Sequence, residues 1–249
     1  MFQFFVEEDA IGNDYITITG EDFNHIKNVL RMKVGTEIRV SNKEDVDYLC
    51  HIHEITDQEV IAKIDDIDRE GTELPTKVFL FQGLPKGDKM ETVIQKNVEL
   101  GVYRVIPVAM KRCVVKLDAK KAKSKVERWQ KISESAAKQS KRMIIPEIAE
   151  LMDYKSAVKF AASMDMFLLP YENAKGMAET KRLIEQIKPG QSVAVFIGPE
   201  GGFEDEEVEL AKSAGANVIS LGKRILRTET AGMALMAALM YEIECENDK

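Results

Sequence analysis

Two glycine-bearing segments place ligand-binding residue types close together: residues 197–203 (IGPEGGF) and residues 221–231 (LGKRILRTETA). Each follows a short apolar run, 193–197 and 218–221, and each leads into a helix-like stretch. In an open α/β sheet, ligands bind at the loops that leave the C-terminal ends of strands. Two such loops from neighbouring strands would form the walls of one pocket. Gly198, Gly201, Gly202 and Gly222 permit positive φ angles and let a ligand approach the backbone closely. Neither segment has the Lys-Ser/Thr of a P-loop or the spacing of GxGxxG, so the common nucleotide cradles are excluded.

A second chemical signal is charge. Residues 111–142 hold twelve lysines and arginines, opposed only by Asp118, Glu127 and Glu134, whereas residues 1–70 carry an acidic excess of about ten charges. The net charge of −7 therefore hides a basic segment suited to phosphate groups. Lys120 to Lys125 read as solvated lysines of an exposed helix. His51 and His53 share one face of a strand, but no third ligand is recognisable nearby, so no metal site is expected. Cys50, Cys113 and Cys245 are few and scattered, as in a reducing compartment. No signal peptide is read at the N-terminus. The longest apolar run, 231–241, is too short to span a bilayer. These readings lead to the expectation of a cytoplasmic protein without a membrane segment.

The elements that must position these residues fall into two domains that meet near residue 72. Upstream, alternating runs at 2–6, 37–40, 46–52 and 59–64 predict a small antiparallel barrel, interrupted by a helix over 21–32. The charged stretch 65–75, with Gly71 and Pro75, reads as a linker. Downstream, strands are predicted at 78–82, 105–109, 166–169, 193–197 and 217–221. Helices are predicted at 86–100, from Ser124 onward, and at 178–187, 204–213 and 229–244. The spacing of Ser124 to Glu127 resembles a capping box. Repeated strand–helix units imply a mostly parallel sheet covered by helices. Residues 231–241 lack a polar face. They belong either in the core or against a second copy of the chain.

Five segments together resemble a known family: residues 82–102 (QGLPKGDKMETVIQKNVELGV), Arg128-Trp129, residues 136–142 (AAKQSKR), IGPEGGF and LGKRILRTETA. They are similar to the RsmE-type RNA methyltransferases of the SPOUT superfamily, and the resemblance spans nearly the whole chain. It implies an α/β fold in which a PUA-like β-barrel domain, residues 1–72, precedes a SPOUT-type domain with a trefoil knot, residues 73–249. It also implies a homodimer that uses S-adenosyl-L-methionine to methylate N3 of a uridine in 16S ribosomal RNA of the small subunit. The alternative is a non-catalytic RNA-binding assembly factor on the same fold. Gln3, Asn24, Asn97 and Lys223 depart from the family's usual residues.

By that resemblance the cofactor is held by Leu169, Tyr171, Gly198, Pro199, Glu200, Gly201, Leu221, Gly222, Ile225 and Leu226. Arg227, Glu229 and Glu200 are the expected catalytic residues. Uridine N3 is a poor nucleophile until its proton leaves, and Arg227 would stabilise the anionic base. Glu229 is read either as catalytic or as a favourable charge at a helix start. Lys86, Lys89, Arg112, Lys141 and Arg142 are the expected RNA contacts. Cys113 is expected to be an ordinary buried thiol.

Overall fold

The computed structural model describes residues 1–174 and 176–247. The chain divides into two compact units, residues 1–73 with 137–145, and residues 74–136 with 146–249. Among the described residues no helix is long and apolar enough to cross a membrane.

The first unit is a five-stranded curled sheet, with β1 (Phe2–Phe5), β2 (Tyr15–Ile18), β3 (Glu37–Ser41), β4 (Asp47–Ile55) and β5 (Val60–Asp68) in the order β1-β3-β4-β5-β2. Period-two alternation turns Phe4, Ile16, Ile18, Ile38, Val40, Ile52 and Val60 into one buried cluster. Three details differ from the sequence expectation. The β1–β3 pair is parallel, not antiparallel. The expected helix over 21–32 is a short α-helix, α1 (Gly20–Asn24), followed by a π turn at His25–Val29. β5 also reaches Asp68, which shortens the expected linker. Residues 137–145 join this unit through long-range bonds. The Ser41 hydroxyl donates to the Met143 carbonyl at 2.6 Å, and the Gln3 amide donates to the Arg142 carbonyl at 2.5 Å.

The second unit is built on a parallel sheet. Its main strands are β6 (Lys77–Gly83), β7 (Arg104–Ala109), the two-residue β8 (Glu147–Ile148) and β9 (Met152–Asp153), β10 (Met166–Pro170), β11 (Ser192–Ile197) and β12 (Asn217–Ile219). They run in the order β12-β10-β11-β6-β7-β8, with β9 also on β7. β11 is buried at five of its six positions, the near-continuous apolar pattern of a strand covered on both faces. Phe81 of β6 and Phe196 of β11, paired in register, stack at 4.5 Å.

Helices α2 (Lys89–Glu99), α3 (Ala119–Ser140), α4 (Tyr154–Ala161), α5 (Ala178–Ile184), α6 (Asp205–Ser213) and α7 (Thr228–Asn247) complete the chain. The predicted inner face of α2 is buried: Met90, Val93, Ile94 and Val98. α3 begins at Ala119 instead of Ser124, because the Asp118 carboxylate accepts from the Lys121 N–H at 2.8 Å and caps the helix there. α4 had no counterpart in the sequence reading. Its cap is Asp153, which accepts from the Ser156 N–H. α7 buries Gly232, Leu235, Met236, Leu239 and Ile243 but leaves Ala234, Ala238 and Tyr241 exposed, so it is amphipathic in environment though not in composition.

Candidate functional site

β12, β10, β11 and β6 are parallel neighbours, so the loops that follow them emerge from one edge of the sheet. There they enclose a cleft of about 420 Å³. Its walls are residues 197–203 after β11 and 220–228 after β12. Pro170, Tyr171 and Glu172 after β10, Lys89 at the start of α2 and Ala231 of α7 also line it. The two glycine loops do not come from adjacent strands. β10 lies between them, which is why Tyr171 reaches the cleft.

Of the ten expected cofactor residues, nine line the cleft. Leu169 does not. It is fully buried in β10, opposite Val218, one residue before the lining begins. Sequence reasoning missed Ser220, Arg224 and Thr228, which lie in or beside the second motif and line the cleft.

The glycines serve two different purposes. Gly202 and Gly222 have φ of +68° and +106°, as expected. Gly198 and Gly201 do not adopt positive φ; they sit where a side chain would crowd its neighbours. A Cβ on Gly198 would sit 3.2 Å from the Phe203 ring, and one on Gly201 would sit 3.0 Å from Arg112 Cβ. Behind the first loop, at the end of β6, a Cβ on Gly83 would lie 2.7 Å from Pro199 N.

Polar side chains hold the two loops together. The Thr228 hydroxyl donates to the Gly198 carbonyl at 2.6 Å, and the Gln82 amide donates to that hydroxyl at 2.8 Å. On the other wall, the Ser220 hydroxyl accepts from the Gly222 N–H at 3.2 Å, and the Thr180 hydroxyl donates to the Ser220 carbonyl at 2.8 Å.

The charged residues take distinct places. Arg227 lines the cleft, is exposed, and has no hydrogen bond or ion pair to its side chain among the described residues. Glu200 also lines the cleft. Its carboxylate accepts from the Lys89 ammonium at 2.7 Å and from the Lys86 N–H at 3.1 Å. Partial burial would raise its pKa, but those bonds outweigh it and hold the group below its ordinary value. Glu229 is absent from the cleft lining. It starts the first turn of α7, with Oε2 buried and 3.9 Å from Lys89 Nζ. Cys113 is buried, and burial pushes its thiol pKa up, as suits an inert thiol.

The five expected RNA contacts separate. Lys141 is exposed and Lys86 donates only its backbone to Glu200. Lys89 is engaged inside the cleft rather than free for phosphate. Arg112 braces the first glycine loop, donating to the Gly201 carbonyl at 2.9 Å and pairing with Glu204 at 3.0 Å. Arg142 corrects the expectation outright. It is 3% exposed, and Glu73 takes up its guanidinium, with Nε to Oε1 at 2.8 Å. Desolvation and pairing give it a structural role in its unit. His51 pairs with Asp65 and His53 packs on the Tyr15 ring. The described residues contain no cluster suited to a metal ion.

Comparison with known proteins identifies the company this site keeps. Residues 72–240 match the model of an RNA methyltransferase domain, and residues 18–65 match that of an RNA methyltransferase PUA domain. The chain is 37% identical to the ribosomal RNA small subunit methyltransferase E of Bacillus subtilis (strain 168), over 92% of this chain and 90% of that protein. It is 35% identical to the protein of the same name from Mesomycoplasma hyopneumoniae (strain 232), over 95% of this chain and 97% of that one. Among solved structures it is similar to the ribosomal RNA small subunit methyltransferase E of Neisseria gonorrhoeae bound to S-adenosyl methionine. That pair has a TM-score of 0.84 and 30% identity, and covers 97% of both chains.

Proposed function

This chain belongs to the RNA methyltransferase family that includes the ribosomal RNA small subunit methyltransferases E, and from that premise we propose that it methylates N3 of one uridine in 16S ribosomal RNA. Its cofactor is S-adenosylmethionine, its substrate is RNA, and its larger unit has the SPOUT fold. The observation that carries the site assignment is the cleft itself, with an arginine on its wall that has no side-chain partner among the described residues and with two glycine loops exposing backbone.

The residues fit the cofactor. Ile225, an apolar side chain of the cleft wall, is 85% exposed and offers a flat apolar surface suited to an adenine. Leu221, Leu226 and Tyr171 add apolar surface, and Gly198 to Gly202 offer main-chain groups to polar atoms. When bound, the cofactor supplies a methyl group already activated by a sulfonium.

The protein supplies position, charge balance and proton removal. N3 lies on the Watson–Crick edge, so the uridine must enter unpaired or flipped. Loss of the N3 proton puts negative charge on the uracil oxygens, which the free guanidinium of Arg227 stabilises. The cost of aligning the base is met by binding its flanking phosphates, for which the exposed Lys86, Lys223 and Arg224 are suited.

The protein acts as a homodimer on the small ribosomal subunit. Supporting the dimer, an apolar groove of about 500 Å³ lies between α5 and α7, flanked by Met177 (50% exposed), Ala234, Ala238 and Tyr241 (67% exposed). Sedimentation at micromolar concentration tests it, and a monomer would refute it.

Incubation with labelled S-adenosylmethionine and small subunits from cells lacking the endogenous enzyme tests the reaction. Label recovered as 3-methyluridine supports the reading. Label in another nucleoside keeps the enzyme class and refutes the N3 assignment. Cofactor binding with no transfer to any RNA leaves the non-catalytic alternative.

A further inference from the structure

One ammonium in the cleft faces two carboxylates. Lys89 Nζ is 2.7 Å from Glu200 Oε1 and 3.9 Å from Glu229 Oε2. Glu200 belongs to the glycine loop and reaches the cleft, whereas Glu229 approaches from α7 and is only 18% exposed. Its Oε2 is buried without a hydrogen-bond partner. A buried acceptor left unmatched beside a three-proton donor is costly, and a shift of the ammonium by about 1 Å would satisfy it. The structure therefore contains an occupied seat and a vacant seat for the same cation.

We propose that Lys89 is a positioning residue that latches Glu200 in the resting enzyme and transfers to Glu229 when substrate enters, leaving Glu200 Oε1 with only the Lys86 N–H bond and able to take the uridine N3 proton. This rests on the methyltransferase reading above. In the step, the N–H bond breaks and a new O–H bond forms on Glu200. The electron pair stays on N3 for attack on the methyl group, whose bond to sulfur breaks with its pair left on the departing neutral thioether, and Glu200 later returns the proton to solvent. While latched, Glu200 is a weak base because its anionic form is hydrogen-bonded. The charged and titratable groups on its side of the cleft are Lys86 and Lys89 at the start of α2, Glu229 from α7, and Arg112 and Cys113 after β7, while Arg224 and Arg227 from the loop before α7 line the same cleft.

The test uses the full-length protein with Lys89→Met, Glu229→Gln and the double variant. Carbon-13 NMR of labelled glutamate carboxyls follows Glu200 directly, assigned by its loss in Glu200→Gln. In Lys89→Met the Glu200 midpoint rises; an unchanged midpoint overturns the latch. In steady-state methyl transfer, Glu229→Gln lowers kcat about tenfold with cofactor Kd within threefold, because the ammonium stays on Glu200. Adding Lys89→Met to Glu229→Gln restores most of that loss. A double variant as slow as Glu229→Gln alone overturns the proposal. So does a Lys89→Met enzyme whose sole defect is weaker RNA binding with a reduced salt dependence, the signature of a phosphate contact. If the unmodified protein transfers no methyl group, the function reading fails, and the titration still decides the Lys89–Glu200 latch.

Discussion

The side-chain amide of Gln82 donates to the hydroxyl of Thr228 at 2.8 Å, joining the end of β6 to the start of α7 across 146 positions of sequence. Thr228 in turn donates to the Gly198 carbonyl at 2.6 Å. Gln82 is fully buried, so one side chain sets the spacing of both glycine loops. Gln82→Leu is expected to cost about 1–3 kcal/mol of stability and to weaken cofactor binding about tenfold. Denaturant titration and calorimetric binding read the two effects. Unchanged cofactor affinity would show that the loops hold their spacing without it.

Gly83 lies where β6 meets the first glycine loop, and a methyl group there would overlap Pro199 N and Cδ, both 2.7 Å away. Main chain cannot rotate aside as a side-chain tip can. Gly83→Ala should therefore destabilise by about 1–3 kcal/mol and displace the loop. Thermal melting with and without cofactor is the check, the expected sign being a smaller cofactor-induced rise in Tm than for the parent.

Among the described residues the Arg227 side chain has no hydrogen-bond or ion-pair partner to lose, and it is exposed. Arg227→Ala should leave stability within about 0.5 kcal/mol and lower methyl transfer by about 100- to 1000-fold. Cofactor affinity should change little. Lost cofactor binding in this variant would move Arg227 from catalysis to binding.

Buried Arg142 pairs with half-buried Glu73 in the smaller unit. Removing the cation leaves the carboxylate with only backbone donors, the Met143 N–H at 2.9 Å first among them. Arg142→Met is expected to cost about 3–5 kcal/mol. The salt dependence of RNA binding should stay unchanged, because the guanidinium is not available to phosphate. A reduced salt slope without destabilisation would restore the RNA-contact expectation.

The barrel carries a pH signature of unusual sign. Burial raises the Asp47 pKa to about 6, despite the opposing pull of Arg39 at 2.9 Å. The folded state thus binds this proton more tightly than the unfolded one. Its stabilising contribution is complete below the unfolded value near 4 and is lost as pH rises through about 6. Asp68 shows the opposite behaviour: the Gly71 N–H and then Arg39 hold its pKa low, so its contribution is lost as acid protonates it. Urea melts between pH 4.5 and 6.5 should therefore show stability falling with pH. Asp47→Asn should flatten that slope, and a persistent slope would assign it elsewhere.

Much of the larger unit was legible in sequence, because its signals are local. A helix such as α2 announces itself by apolar residues at i, i+3, i+4 and i+7, and a parallel strand such as β11 by an unbroken apolar run. Very short elements left no such trace: β8 and β9 have two residues each. The start of α3 was misplaced because Ser124 and Asp118 both carry cap chemistry, and only the fold shows which backbone N–H is met. The parallel β1–β3 pair was missed for a similar reason, since alternation reports the buried face of a strand and not its direction.

The sequence by itself determined which residue types stand at the site: glycines at 198, 201, 202 and 222, the carboxylate at 200, the arginine at 227. For Gly202, Gly222 and the charged pair those choices follow from backbone freedom and charge, which belong to the residue, whereas Gly198 and Gly201 answer to close neighbours that only the fold supplies. Tertiary structure alone decided who meets whom. It inserted β10 between the two loop-bearing strands, buried Arg142 against Glu73, drew Lys89 toward two carboxylates and withdrew Glu229 from the cleft wall. Pairing and desolvation depend on distances between residues far apart in the chain, and no local pattern encodes those distances.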